Sequence, residues 1–368
     1  MKKKNLCKTL LKIIGIVLGI LVLALLAYIV YLYASYYRIE DNQELVVEAP
    51  VNDTAIGASA VLAADTEYSA VTYNIGFGAY LPDYSFFMDG GTSSWAESPE
   101  TVQYAINGAG ELVKSLEPDF ALIQEIDLDA TRSYHTDEYE MLRNLLPEYT
   151  TVFAQNYDSA FLFYPFTQPH GSSRAGLGLF SKYPVSSALR RSFPISTSFS
   201  KFFDLDRCYS VSRIPVDNGR ELVIFNLHMS AYGNSDAIRK GQIEMLCNDM
   251  AKEYEAGNYV LCGGDFNHDL KASEEDTDSC ESWAFPFPRT ELPEHFAFCL
   301  DLLTEEEQAA LWDSARNADM EYVPGVTYTV TLDGFIISDN IECLSYENIN
   351  TGYSYSDHDP VKMEFVLK

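Results

Sequence analysis

Gly264-Asp265-Phe266-Asn267, followed by Leu332-Asp333-Gly334-Phe335-Ile336 and then by Ser356-Asp357-His358-Asp359-Pro360-Val361, is the part of the sequence on which its reading turns. Asp265 comes directly after the apolar run Val260-Leu-Cys-Gly-Gly264, and Ser356-Asp357-His358 stands just before the apolar run Val361–Leu367. The same arrangement recurs upstream. Asn74 closes Ala70-Val-Thr-Tyr73, Gln124-Glu125 closes Phe120-Ala-Leu-Ile123, and Asn226 with His228 closes Leu222-Val-Ile-Phe225. Short runs rich in Val, Ile, Phe and Tyr, bounded by turn residues, read as strands. Carboxylates, carboxamides and histidines are therefore expected together at strand ends, where a sheet edge presents its functional groups.

Working outward, strands are expected at Ser69–Ile75, Phe120–Ile126, Gly176–Phe180, Tyr209–Val216, Glu221–Leu227, Tyr259–Gly263, Gly334–Ile337 and Val361–Leu367. Helical patterns alternate with them. Ala105–Leu116 ends at Glu117-Pro118, a break before the next strand. Glu138–Leu146 and Asp236–Glu255 are similar, and Thr304–Ala318 opens on Thr304-Glu-Glu-Glu307, which fits a capping box. Strands mixed with helices predict an α/β or α+β sandwich. The acidic, proline-containing segment Lys271–Glu294 is expected to be a surface excursion, and no internal repeat is present.

The ordered blocks Tyr73-Asn74-Ile75, Gln124-Glu125, Gly178-Leu-Phe-Ser-Lys-Tyr-Pro-Val185, Asn226-Leu-His228, Gly264-Asp-Phe-Asn267, Leu332-Asp333-Gly-Phe-Ile336 and Ser356-Asp-His-Asp-Pro-Val361 resemble the endonuclease/exonuclease/phosphatase superfamily. That superfamily includes pancreatic-type deoxyribonucleases, apurinic endonucleases, inositol polyphosphate 5-phosphatases and neutral sphingomyelinases. The resemblance implies an α/β (α+β) four-layer sandwich: two packed, mainly antiparallel β-sheets flanked by helices, with the site at one edge. It also implies roles. Glu125 matches the metal carboxylate, with Asn74 beside it, and Asp357 binds a second ion or helps fix the first. Asp265 orients or deprotonates the attacking water, and Asn267 offers an amide to a phosphate oxygen. His228 matches the phosphate-binding histidine, His358 the one that stabilises the transition state or acts as base, and Asp333 orients His358. The division of proton transfer between Asp265 and His358 stays open. Mg²⁺, with Mn²⁺ as the alternative, suits such a set because it takes oxygen ligands and keeps several waters.

Other polar residues weigh less. Asn156, Tyr157, His170 and Arg174 lie in a loop before Gly176 that could touch substrate or simply face solvent. His268 reads as a neighbour of the Gly-Asp-x-Asn block, and Arg239 with Gln242 as scaffold contacts. The block at Asp333 departs from many relatives in carrying Gly334, which keeps the aspartate but weakens any transfer of substrate identity.

The 368 residues are 47% hydrophobic, ample for one large domain. Residues 1–38 stand apart. Lys2, Lys3, Lys4, Lys8 and Lys12 precede a stretch without charge from Ile13 to Tyr37. It is long enough to cross a hydrocarbon core about 30 Å thick. The basic flank predicts a single-pass anchor in the cell membrane with a cytoplasmic N-terminus and an extracytoplasmic catalytic domain. A cleavable signal peptide is the rival, but it would have a shorter apolar core of about 7–15 residues and a small-x-small site behind it. Residues 39–67 are expected to be a tether and 68–368 the catalytic domain. Beyond Arg38, 19 basic residues face 54 acidic ones, leaving −35. Such a surface repels polyanions. Cys7, Cys208, Cys247, Cys262, Cys280, Cys299 and Cys343 form no metal-knuckle spacing.

The expected activity is thus Mg²⁺-dependent hydrolysis of a phosphate ester, whether of a small metabolite, a sugar phosphate or a lipid headgroup. An extracellular nuclease is the alternative. Its groove would need clustered Lys and Arg, and only Lys182, Arg190, Arg191, Lys201, Arg207 and Arg213 are at hand, loosely spaced. A catalytically silent anchored binding module comes last, because no metal or base residue is missing.

Overall fold

Side chains that alternate along a strand are delivered to opposite faces of its sheet, so these strands feed two cores at once. The computed structural model describes residues 2–52, 61–231, 236–273 and 284–368. In it Phe120 and Leu122 join one buried cluster with Ala70, Ile224 and Phe335, while Ala121 and Ile123 join another with Val102, Ile106 and Leu142. The first cluster fills the space between two sheets. The second lies between one sheet and its covering helices.

In chain order the elements are helix α1 (Lys2–Ser35), strands β1 (Gln43–Glu44), β2 (Val47–Glu48) and β3 (Glu67–Asn74), α2 (Pro99–Leu116), β4 (Phe120–Ala130), α3 (Glu138–Leu145), β5 (Thr150–Leu162), β6 (Gly171–Ser181), β7 (Ser187–Ser192), β8 (Cys208–Pro215), β9 (Glu221–His228), α4 (Asp236–Glu255), β10 (Tyr259–Asp265), β11 (Phe296–Phe298), α5 (Glu305–Ala310), β12 (Ala315–Arg316), β13 (Thr329–Val330), β14 (Asp333–Ser338), β15 (Ile341–Asn348) and β16 (Val361–Leu367). One seven-stranded sheet has the order β1-β7-β8-β9-β10-β14-β11, and the other β15-β16-β3-β4-β6-β5-β2. Both are antiparallel except for one inner parallel pair each, β9 with β10 and β3 with β4. Helices α2 and α3 cover the second sheet, and α4 buries Ile243, Leu246 and Met250 with the strands of the first. The expected four-layer sandwich is present, with mixed sheets.

All eight expected strands form. Three long or regular strands, β5, β7 and β15, were not among them. Their runs are interrupted by polar residues such as Gln155, Asn156, Arg190, Arg191 and Glu342, and pairing with neighbours rather than apolar content makes them strands. The helix expected over Thr304–Ala318 stops at Ala310. Its capping box at Thr304 and Glu307 is present, but Leu311 turns to extended backbone and the chain goes on to pair Ala315–Arg316 with Thr329–Val330.

The segment expected to be a bare tether is also corrected in part. The chain divides into two units, Met1–Arg38 and Ile39–Lys368. Within the second, Gln43 and Glu44 pair with β7, Val47 and Glu48 pair with β5, and Leu62 is buried in the main core. Exposed sheet edges offer unpaired backbone groups, and this segment satisfies one edge of each sheet. The excursion at Lys271–Glu294 likewise returns Phe287 to the core against Phe266 and Phe298, while residues 274–283 of it, including Cys280, lie outside the described residues. Within the first unit, Leu6–Ser35 of α1 is long and apolar enough to cross a membrane.

Candidate active site

The parallel pairs place strand ends side by side. Asn74 is in register with Gln124, His228 with Asp265, and Asp265 with Asp333 at the start of antiparallel β14. His228, Asp265 and Asp333 therefore form one row across three strands. Glu125 reaches the site differently. Pairing of β4 with β6 shifts between Ile123 and Ile126, and Glu125 adopts a φ of 56°. A bulge of this kind re-aims a side chain, and a left-handed non-glycine residue costs on the order of 1–3 kcal/mol. Gly264 has a φ of +146°, and a Cβ there would stand 2.1 Å from the Leu227 carbonyl oxygen. Only glycine lets β10 pass so close to β9 before Asp265.

Asp333 is fully buried and its Oδ2 lies 2.7 Å from His358 Nδ1. The same oxygen accepts from Ser314 Oγ at 2.7 Å, and Ser314 Oγ in turn accepts from the N–H groups of Leu332 and Asp333. The other ring nitrogen of His358, Nε2, faces Asp265 Oδ2 at 3.8 Å, and His228 Nε2 lies 3.5 Å from that oxygen. Burial opposes a charge on His358, but Asp333, by charge and by hydrogen bond, together with Asp265 and Asp357, holds its pKa well above the usual value. Burial pulls His228 well below, with help from the Arg207 and His358 charges. The two histidines thus have opposite characters, one cationic and one neutral. Asp265 is raised by burial, with the Asp333 charge adding to the effect and His358 opposing it. Its Oδ1 accepts from the Asn267 N–H at 2.8 Å, and the Asn267 amide donates to the Met229 carbonyl at 3.0 Å.

Asn74, expected among the metal ligands, accepts from the Gly76 N–H through Oδ1 and donates through Nδ2 to Glu125 at 3.2 Å and Asp265 at 3.0 Å. It offers the site a donor that ties two carboxylates together, not an oxygen. The single Ser356 Oγ–H is shared between the Asn74 carbonyl at 2.8 Å and Asp357 Oδ1 at 3.2 Å. Burial raises the Glu125 pKa, and the Asp357 charge raises it further. Asp89, a residue with no sequence signal, lines the same cavity and is pushed up to about 7 by burial and then by Asp357 and Glu125. Carboxylates whose pKa values are raised by burial and by neighbouring carboxylates, as those of Asp89 and Glu125 are, are what a cation relieves, and carboxylate oxygens suit a hard divalent ion. The residues present therefore fit such an ion at Glu125 and Asp357. Asp265, Asp333 and His358 also bring ligand atoms within 4.8 Å of one another. Ser314 and His358 engage Asp333 Oδ2, while its buried Oδ1 has no hydrogen-bond partner.

Asp89, Glu125, His228, Asp265, Asn267, Asp357 and His358 line a cavity of about 380 Å³, while Asp333 and Asn74 stand behind its wall. Its remaining wall holds Arg132, Arg207 and Arg316, which sequence reading did not assign to the site. Arg132 forms a bidentate pair with Asp127 and stacks 3.7 Å from the centroid of Phe77, and Arg316 donates to the carbonyls of Leu81 and Asn317. Asn156, Tyr157 and His170 also line the cavity, the first two from β5 rather than from a loop. Arg174 does not; it is half-exposed and pairs with Asp129. His268 is buried against the Phe266 carbonyl, Gln242 links Pro194 to Ser230, and Arg239 packs over Phe285. None of these three lines that cavity.

Solved structures share this architecture. Endonuclease/exonuclease/phosphatase from Bacteroides vulgatus is similar with a TM-score of 0.53 and 17% identity, over 83% of this chain and 100% of that one. D. rerio TDP2, complexed with single-strand DNA product, gives 0.54 and 14% over 82% and 99%. ANGEL2, a 2',3'-cyclic phosphatase in complex with adenosine-2',3'-vanadate, gives 0.56 and 11% over 82% and 96%. At these identities the likeness establishes the fold. No curated protein matches the sequence. Residues 71–302 do match the Endonuclease/Exonuclease/phosphatase family, a span that holds Asn74, Glu125, His228, Asp265 and Asn267, and the chain belongs to that family of hydrolases.

Proposed function

We propose that this protein is a Mg²⁺-dependent phosphoesterase acting on a small phosphorylated molecule or lipid headgroup outside the cytoplasm, with α1 as its single-pass membrane anchor. The observation that carries the reading is the buried row of His228, Asp265 and Asp333, with His358 held on Asp333 and turned toward Asp265. Glu125 and Asp357 would hold Mg²⁺, which when bound would supply positive charge for the phosphoryl oxygens. Asp265, which burial makes more basic than an ordinary carboxylate, takes a proton from the attacking water. As the water oxygen bonds to phosphorus, the ester oxygen departs with the electron pair of the broken P–O bond. His358, kept cationic by Asp333, donates from Nε2 to the phosphoryl group, and His228 and the free amide hydrogen of Asn267 position its oxygens. Asn74 fixes Glu125 and Asp265 relative to each other.

A cavity of about 380 Å³ suits a headgroup or metabolite, and a charge of −35 beyond Arg38 disfavours nucleic acid. The test is a panel of bis-p-nitrophenyl phosphate, p-nitrophenyl phosphate, sphingomyelin and plasmid DNA, each with Mg²⁺, with Mn²⁺ and with EDTA. Turnover of a small ester that EDTA abolishes is the expected result. No metal-dependent turnover of any substrate overturns the reading, and plasmid cleavage exceeding that of the small esters replaces it with the nuclease.

A further inference from the structure

Three buried arginines line the cavity, and they differ in one respect. Arg132 spends its guanidinium on Asp127, and Arg316 spends both Nη groups on backbone carbonyls and leaves only its Nε without a partner. Arg207 is 7% exposed, yet its Nε and Nη1 are buried without a hydrogen-bond partner. Asn156 is 1% exposed and its Nδ2 is likewise unpartnered. A buried charge is costly unless it is paired, and so is a buried donor left without an acceptor. Both therefore need an explanation, and both border the same cavity.

The fold brings them there by two different routes. Arg207 directly precedes β8, the neighbour of the strand that ends in His228, and its charge is felt at that histidine. Asn156 is the extra residue of a bulge, because pairing of β5 with β6 shifts between Gln155 and Tyr157. A bulge turns a strand residue out of its normal alternation, here into the cavity. The cavity lining is therefore mixed. Asp89, Asp204, Glu125 and Asp357 are acidic, while Arg207 and Asn156 present donors without acceptors.

We propose that Arg207 and Asn156 form a second anion subsite, which takes a phosphate or carboxylate of the substrate that is not hydrolysed. The inference rests on the phosphoesterase reading of this cavity and narrows its substrate class to esters with two anionic groups. A guanidinium recognises both anions through charge-assisted, often bidentate hydrogen bonds, and the amide adds a donor. A cationic choline headgroup is the wrong complement for this wall.

The test uses the full chain in detergent with Mg²⁺ and reads competitive inhibition of bis-p-nitrophenyl phosphate turnover. Fructose 1,6-bisphosphate, 3-phosphoglycerate and glycerol 3-phosphate are the competitors. At least one of the first two should have an inhibition constant about tenfold or more below that of glycerol 3-phosphate, and which one it is tells phosphate from carboxylate. Arg207→Gln should shrink that advantage to under about threefold, with Arg207→Lys retaining part of it and Asn156→Ala losing part. Equal inhibition by all three competitors in the wild type overturns the subsite while leaving the phosphoesterase intact. So does an advantage that survives Arg207→Gln. Should neither bis-p-nitrophenyl phosphate nor any other ester of the panel be turned over, the phosphoesterase reading falls. Thermal shift by the same competitors then decides the subsite alone, and equal shifts reject it.

Discussion

Replacing Asp333 by asparagine removes a negative charge from beneath His358 while keeping the shape of the side chain. In the native protein the Asp333 Oδ2 receives both His358 Nδ1, 2.7 Å away, and Ser314 Oγ, also at 2.7 Å. Asparagine retains an oxygen for these donors and loses only the charge assistance. A hydrogen bond to a charged group contributes about 1.5–3 kcal/mol against about 0.5–1.5 for a neutral one, so the charge assistance amounts to about 1–1.5 kcal/mol. At about 1.4 kcal/mol per factor of ten, kcat/KM should fall roughly 5- to 12-fold. The pH profile adds a second readout. Apart from the opposing effect of burial, Asp333 is the leading cause of the raised His358 pKa. Its loss lowers that pKa, so the alkaline limb, where His358 gives up the proton it must donate, should move to lower pH. The assay is Mg²⁺-dependent hydrolysis of bis-p-nitrophenyl phosphate from about pH 5 to 9, with the thermal midpoint as a check on folding. A well-folded variant within about threefold of wild type at every pH, or one whose alkaline limb moves upward, refutes the assignment.

Gly264→Ala should lower the urea midpoint by an amount worth several kcal/mol. The new Cβ meets the Leu227 carbonyl at 2.1 Å with φ at +146°, and strain and overpacking each cost about 1–3 kcal/mol; a shift below about 1 kcal/mol contradicts the close-approach argument. Glu138 is buried, with one oxygen accepting from the Asp127 N–H at 2.8 Å and the other unpartnered. Burial and then the Asp127 charge raise its pKa well above 4.5. A carboxyl whose folded pKa exceeds its unfolded one takes up a proton on folding, so its contribution to stability declines as pH rises from about 4.5 through the folded pKa. Glu138→Gln should therefore lose less of its urea midpoint than wild type between about pH 5 and 8, and a larger loss would count against this account.

Much of the fold was legible because strand periodicity and turn chemistry are local. The runs ending at Asn74, His228 and Asp265 became β3, β9 and β10 with those residues at their ends. The capping box at Thr304 was read correctly for the same reason, yet the length of its helix was not. Nothing near Leu311 says that Ser314 must reach Asp333, about twenty residues on and fixed by another strand. The strand β5 was missed because its polar residues serve pairing and the cavity rather than the core.

The sequence by itself determined the family, the order of the candidate site residues, the long apolar segment near the N-terminus and the acidity of everything after it, because each is carried by residue type and spacing alone. Only the tertiary structure decided that Glu125 reaches the site through a left-handed bulge, that Asn74 turns a donor rather than an oxygen toward the carboxylates, and that Arg207 and Asn156 are buried with donors unspent. Those outcomes depend on which polar atoms long-range strand pairing leaves without partners, and no local pattern encodes that.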